Sequence, residues 1–127
     1  MISTIGMIAI GGAAGAVARY GVNVGSIAVF GHEFPYGTLM VNILGSFLMG
    51  LVIAKFVQMH DISQEIKSLI TTGFLGAFTT FSTFSLDFVT LWERGDIVPA
   101  FLYVLASVVL SIFALFLGLW VIRGLSV

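Results

Sequence analysis

Apolar positions in this chain do not recur at a helical or strand period. They run together in four long blocks, over about 2–27, 35–54, 68–92 and 97–122. A helix crossing a bilayer needs roughly 20 mostly apolar residues to span about 30 Å of hydrocarbon, and each block is long enough. Arg19 is the one charge inside the first block, and the fourth has none. Charges collect in the gaps instead: Lys55, Asp61, Glu65 and Lys67 in one, Glu93, Arg94 and Asp96 in another. Pro35 and Pro99 sit near helix starts, where a missing N–H costs little. Gly31-His32-Glu33 and Arg94-Gly95-Asp96 read as short interfacial turns. The first block has neither a basic leader nor a small-residue cleavage site before a polar region, so it reads as a retained span. The pattern predicts one four-helix transmembrane domain over residues 1–127, with helices at about 2–27, 35–58, 66–93 and 97–123.

Composition sharpens this reading. Of 127 residues, 59% are hydrophobic and 9% charged, where soluble proteins carry about a quarter charged. A soluble fold would have no means of covering its surface, and mean hydropathy is +1.15. Soluble enzymes, nucleic-acid binders and disordered tails are set aside, and a net charge of −1 offers no footprint for nucleic acid. With no cysteine there is no thiolate metal site, disulfide or cysteine nucleophile. The fold class is all-α integral membrane.

Four spans put both termini and the central loop on one side, with Lys55, Lys67 and Arg123. The other side carries Arg94, and Arg19 if it reaches the interface. So small a bias is a weak orientation signal. It leaves two readings open: one fixed orientation, or insertion both ways, which permits an antiparallel homodimer. Four helices enclose little interior, so a water-lined path calls for a second copy.

Polarity inside the apolar blocks is therefore the informative feature, because polar groups in hydrocarbon face a bundle interior or a pathway. Helix one contains Gly11 and Gly15 in a GxxxG spacing suited to close helix packing. Arg19 follows one turn later, either snorkelling to the interface or drawing an anion into a vestibule. Helix two repeats Thr38, Asn42, Ser46 and Gly50 at steps of four. Asn42 is the costliest to bury, since its amide has two donor hydrogens and an acceptor to satisfy. Helix three carries Gly73 and Gly76, then Thr79-Thr80-Phe81-Ser82-Thr83-Phe84-Ser85, five hydroxyls in seven residues. Glycines beside such a cluster predict a break near mid-helix, tolerated only where it is buried or lines a cavity. Freed carbonyls there are hard donors suited to a small cation. Phe81 and Phe84 join Phe74, Phe78 and Phe88 in an aromatic face that either packs or offers positive ring edges to an anion. Tyr103, Ser107 and Ser111 repeat along helix four as an ordinary packing face. Mid-membrane carboxylates are missing, Asp87 lies nearer an end, and His32 and His60 fall in turns. No enzyme apparatus is visible.

Residues Gly11-Gly12 through Arg19-Tyr20, then Pro35-Tyr36-Gly37-Thr38-Leu39 and Val41-Asn42, then 73–85, resemble the Fluc (CrcB) fluoride channels across all four helices. The resemblance implies an antiparallel, dual-topology homodimer in the cytoplasmic (inner) membrane, with two fluoride pores between subunits exporting fluoride passively. Carried over by position, Phe81 and Phe84 match the pore phenylalanines, and Asn42 the pore asparagine. Ser82, Thr83 and Ser111 match polar groups along the ion path, with Thr38 on the same stripe as Asn42, and Arg19 matches the basic vestibule residue. Gly76 and Thr79 flank the break, where the family holds a structural sodium ion through backbone carbonyls of both subunits. Partners are then fluoride, a second copy and the bilayer, without nucleic acid. Two other classes stand beside this one. A small dual-topology drug/proton antiporter needs a buried acid, which helix one does not supply. A non-transporting packing subunit leaves the Asn42 stripe and the hydroxyl run without a role.

Overall fold

The computed structural model describes residues 2–125, all helical apart from short connections. Helix α1 spans Ile2–Phe30 and α2 Tyr36–Gln58. The third span begins with α3 (Gln64–Ser68), continues as a π-helix (Leu69–Leu75) and α4 (Gly76–Phe78), and resumes as α5 (Ser82–Glu93). Helix α6 covers Ile97–Leu125. The four spans Ile2–Phe30, Tyr36–Gln58, Gln64–Glu93 and Ile97–Gly124 are each long and apolar enough to cross a bilayer.

Helix ends are set by local chemistry that block length does not reveal. Helix α1 runs three residues past the expected 27 because its stop is Gly31, at φ +85°, whose N–H bonds back to Ile27. Helix α3 starts two residues early because the Ser63 hydroxyl accepts from the Ile66 N–H as an N-cap. Gly95, at φ +86°, turns the chain between α5 and α6. Arg94 fastens that turn, donating to Asp96 Oδ2 (2.7 Å) and to the Glu33 carbonyl of the α1–α2 loop.

Association relies on close backbone approach. In lipid there is no hydrophobic drive between helices, so packing between small residues carries the contact. Gly11 and Gly15 are buried against the π-helix, and a Cβ on them would overlap the carbonyl oxygens of Leu69 and Phe74 respectively. Gly50 and Gly118 do the same for α2 against α6, the most extensive helix pair. The GxxxG glycines thus act in packing within one chain. A small core of Leu91, Ala100 and Tyr103 joins α5 to α6, with Phe34, Leu39, Phe84 and Phe88 against it. Val17, Leu105, Phe113, Phe116 and Trp120 point outward, as lipid-facing side chains do. This is a multi-pass membrane protein.

Candidate functional site

Polar side chains from three spans converge on residues 79–81, which link α4 to α5. Thr79 is extended (φ −88°, ψ 162°), so the helical ladder stops there. In a continuous α-helix the Thr80 N–H would bond to the Gly76 carbonyl and the Thr83 N–H to that of Thr79. Both are diverted. The Thr80 N–H donates to Asn42 Oδ1 (2.8 Å), while Asn42 Nδ2 donates back to the Thr80 carbonyl (3.0 Å). The Thr83 N–H donates to Thr80 Oγ1 (3.2 Å), so Thr80 caps α5. Gly76 and Thr79 carbonyls thereby lose their helical donors. Thr79 caps the preceding turn itself, its hydroxyl and N–H both donating to Leu75 (2.9 and 3.1 Å).

Arg19 approaches from α1. It is about 16 Å along the helix from Phe30, well inside the span Ile2–Phe30. Its Nε donates to the Ala77 carbonyl (3.1 Å) and Nη1 to Thr83 Oγ1 (3.4 Å). The guanidinium is thus held against the third span, away from the loops. That removes it from the loop charge count, leaving Arg94 as the basic residue on its side.

Two cavities flank Thr80, which lines both. One, of about 330 Å³, lies between α2, α5 and α6. Asn42 and Ser46 line it from α2, Phe81 and Phe84 from the third span, Ser107 and Ser111 from α6. The other, of about 270 Å³, is lined by Arg19, Tyr20, Asn23, Thr38 and Thr83. It shares Asn23, Thr38 and Thr83 with a third cavity of about 220 Å³, which reaches His32 and Asp87. Thr38 is buried.

The first cavity combines two chemistries. Phe81 is 78% exposed, and its ring centroid lies 5.5 Å from that of Phe84, which sits 5.2 Å from Tyr103. Ser107 and Ser111 of the α6 stripe line the same cavity, and their buried hydroxyls have no partner among the described residues. Buried polar groups are nearly always bonded, so two such hydroxyls lining one cavity call for an explanation.

Other expected residues fall less centrally. Ser82 is exposed at the start of α5, its hydroxyl 3.5 Å from that of Thr80, and it lines neither flanking cavity. Gly76 is exposed on α4. Sequence reasoning missed the pairing of Asp87 with Tyr103, whose hydroxyl donates to Asp87 Oδ2 (2.9 Å) from a fully buried ring. A signal was present, since the two lie at equal sequence distances either side of Gly95, as facing residues of a helical hairpin do.

Comparisons with known proteins give a consistent family. The family described as CrcB-like protein, Camphor Resistance (CrcB), matches residues 6–119. A protein of Mesorhizobium japonicum is 50% identical over 119 residues, covering 94% of this chain and 95% of its own. One from Rhizobium johnstonii is 46% identical over 126 residues, 99% of this chain and all of its own. A third, from Cereibacter sphaeroides, is 50% identical over 124 residues, 98% of each chain. All three carry the name fluoride-specific ion channel FluC.

Proposed function

Because the chain belongs to the CrcB-like family, we propose that it is a passive fluoride channel whose ion path runs through the cavities flanking Thr80. The family is one of channels, so no catalytic group is required. One observation carries the assignment of the path: Ser107 and Ser111, whose buried hydroxyls have no partner among the described residues, line one cavity together with Phe81 and Phe84.

Fluoride is small and strongly hydrated, so it crosses only where fixed donors replace its water. Ser107 and Ser111 supply O–H groups, Phe81 and Phe84 supply positive ring edges, and Asn42 has one amide hydrogen left after pairing with Thr80. Arg19 and Thr83, with Thr38, supply charge and hydroxyls on the other flank, and Ser82 adds a hydroxyl at the outer end of α5. Such contacts are individually weak, which suits a path that must release its ion as well as admit it. An antiporter would need a free acid in the span, and Asp87 is engaged by Tyr103.

The working unit is an antiparallel, dual-topology homodimer with two pores, placed in the cytoplasmic membrane. Two features support it: a loop bias of only two positive charges, which is a weak orientation signal, and the outward exposure of Phe81 and Gly76, which a second subunit would cover. The third span acts as a broken helix at residues 79–81. The Gly76 and Thr79 carbonyls, stripped of their helical donors, fit a sodium ion, which prefers hard oxygen ligands. A bound sodium would supply a fixed positive charge beside the anion path.

Reconstituted into liposomes, the protein is expected to release fluoride and not chloride, read with ion-selective electrodes. Ser107→Ala separates function from folding. Removing an unpaired buried hydroxyl leaves stability unchanged or raised by up to about 1 kcal/mol. Fluoride flux should nonetheless fall by a few-fold to about tenfold, the worth of one hydrogen bond in the path. Wild-type flux in Ser107→Ala would remove the α6 hydroxyl from the path.

A further inference from the structure

Residues 79–81 are gripped from two other helices at once. From α1, a single guanidinium touches both flanks: Arg19 Nε reaches the Ala77 carbonyl on the α4 side (3.1 Å), and Nη1 reaches the Thr83 hydroxyl on the α5 side (3.4 Å). From α2, the Asn42 amide pairs with both backbone groups of Thr80 between those flanks (2.8 and 3.0 Å). Residue 19 therefore does something that a point charge in a vestibule would not.

We infer that Arg19 is a positioning residue: with Asn42 it clamps residues 79–81 in their non-helical path, in addition to lending its charge to the anion route. The local alternative is specific. If the Thr80 and Thr83 N–H groups return to the Gly76 and Thr79 carbonyls, α4 and α5 merge into one helix. Phe81 then rotates off the cavity wall. Helical bonds are the default for a chain in hydrocarbon, where every backbone group must be satisfied. Holding the non-helical path requires substitutes for them, and Asn42 supplies the substitute pairing at Thr80. Arg19 then fixes the distance between the two helix ends. A guanidinium suits this because its donors are set in a rigid planar fork, whereas lysine carries a compact charge on a flexible stem. Lysine at this position keeps the charge and loses the fork.

The inference rests on the channel reading only for its flux readout. The test uses full-length protein in liposomes, with fluoride efflux measured over a range of fluoride concentrations and amide hydrogen exchange resolved across residues 76–84. For Arg19→Lys the clamp predicts maximal flux lower by about tenfold or more, with half-saturating fluoride within about twofold of wild type. It also predicts about tenfold faster exchange at the Thr80 and Thr83 amides, neither of which bonds to Arg19, with α2 and α6 unchanged. A residue acting only through its charge gives wild-type maximal flux in Arg19→Lys, or lowered flux with unchanged exchange at Thr80. Either result overturns the clamp. Should exchange rise in every helix of that variant, Thr83→Val decides, since it removes one arm and leaves Arg19 in place. Faster exchange at Thr80 then supports the clamp, and unchanged exchange overturns it. Wild-type protein that moves no fluoride but shows the same exchange pattern defeats the channel reading and leaves the clamp standing.

Discussion

Replacing Phe81 and Phe84 together with isoleucine is expected to reduce fluoride efflux by about tenfold to a hundredfold or more. Isoleucine keeps most of the apolar volume, so the change isolates what a ring adds. A phenyl ring presents a positive edge, and ring contacts governed by this quadrupole are worth about 0.5–1.5 kcal/mol each. Two edges lost from the path therefore raise the barrier by about 1–3 kcal/mol, which gives the stated range. The two positions differ. Phe81 is 78% exposed in the single chain, so its single replacement spares the fold of one subunit and reads on conduction and on contact with the second subunit. Phe84 packs on the Tyr103 ring and borders the α5–α6 core, so its replacement also loosens packing. Thermal unfolding in detergent alongside efflux separates the two effects. Efflux at the wild-type rate in the double variant would remove the rings from the conduction path and leave them as packing.

The asymmetry between these two phenylalanines shows where sequence reading stops. Their spacing was legible, as were the hydroxyls around them, because both are local. The four spans were legible for a similar reason: uninterrupted apolar length is itself the physical requirement for crossing a bilayer. What decides the roles is not local. Asn42 and Thr80 lie in different helices, and no periodicity announces that one amide will close on both backbone groups of the other. Read alone, Asn42 is a donor for an ion; in the fold most of its hydrogen-bonding capacity serves the backbone of residue 80. Arg19 changes in the same way, from a charge near an interface to a group held against the third span. The π-helix over Leu69–Leu75 left no readable mark beyond Gly73, whose Cα lies against α1 at Gly11. Ser107 and Ser111 were visible as a stripe, yet their lack of partners emerges only when α2 and the third span are packed beside them.

That packing predicts the second large effect: Gly50→Val should abolish both folding and flux. A Cβ at Gly50 would overlap the Leu115 carbonyl oxygen and stand 3.0 Å from the Leu119 backbone nitrogen, so it meets main chain that cannot swing aside. Relief on the opposite helix is blocked as well, because Gly118 of α6 is equally tight against Phe47 and Leu51 of α2. Forcing larger groups into such a site costs about 1–3 kcal/mol in a soluble core. Here the effect is larger in consequence, since close packing and not water exclusion holds membrane helices together. It falls on the most extensive helix pair of the fold. The same pair sets Ser107 and Ser111 of α6 opposite Asn42 and Ser46 of α2, so parting the helices also pulls the cavity walls out of register. Gly50→Ala should lie between wild type and valine. Gly6→Ala is the control, because a Cβ there meets open space and leaves melting and efflux as in wild type. Detergent melting curves and liposome efflux on the three variants check this ordering, and a Gly50→Val protein that melts and conducts like wild type would overturn the packing account.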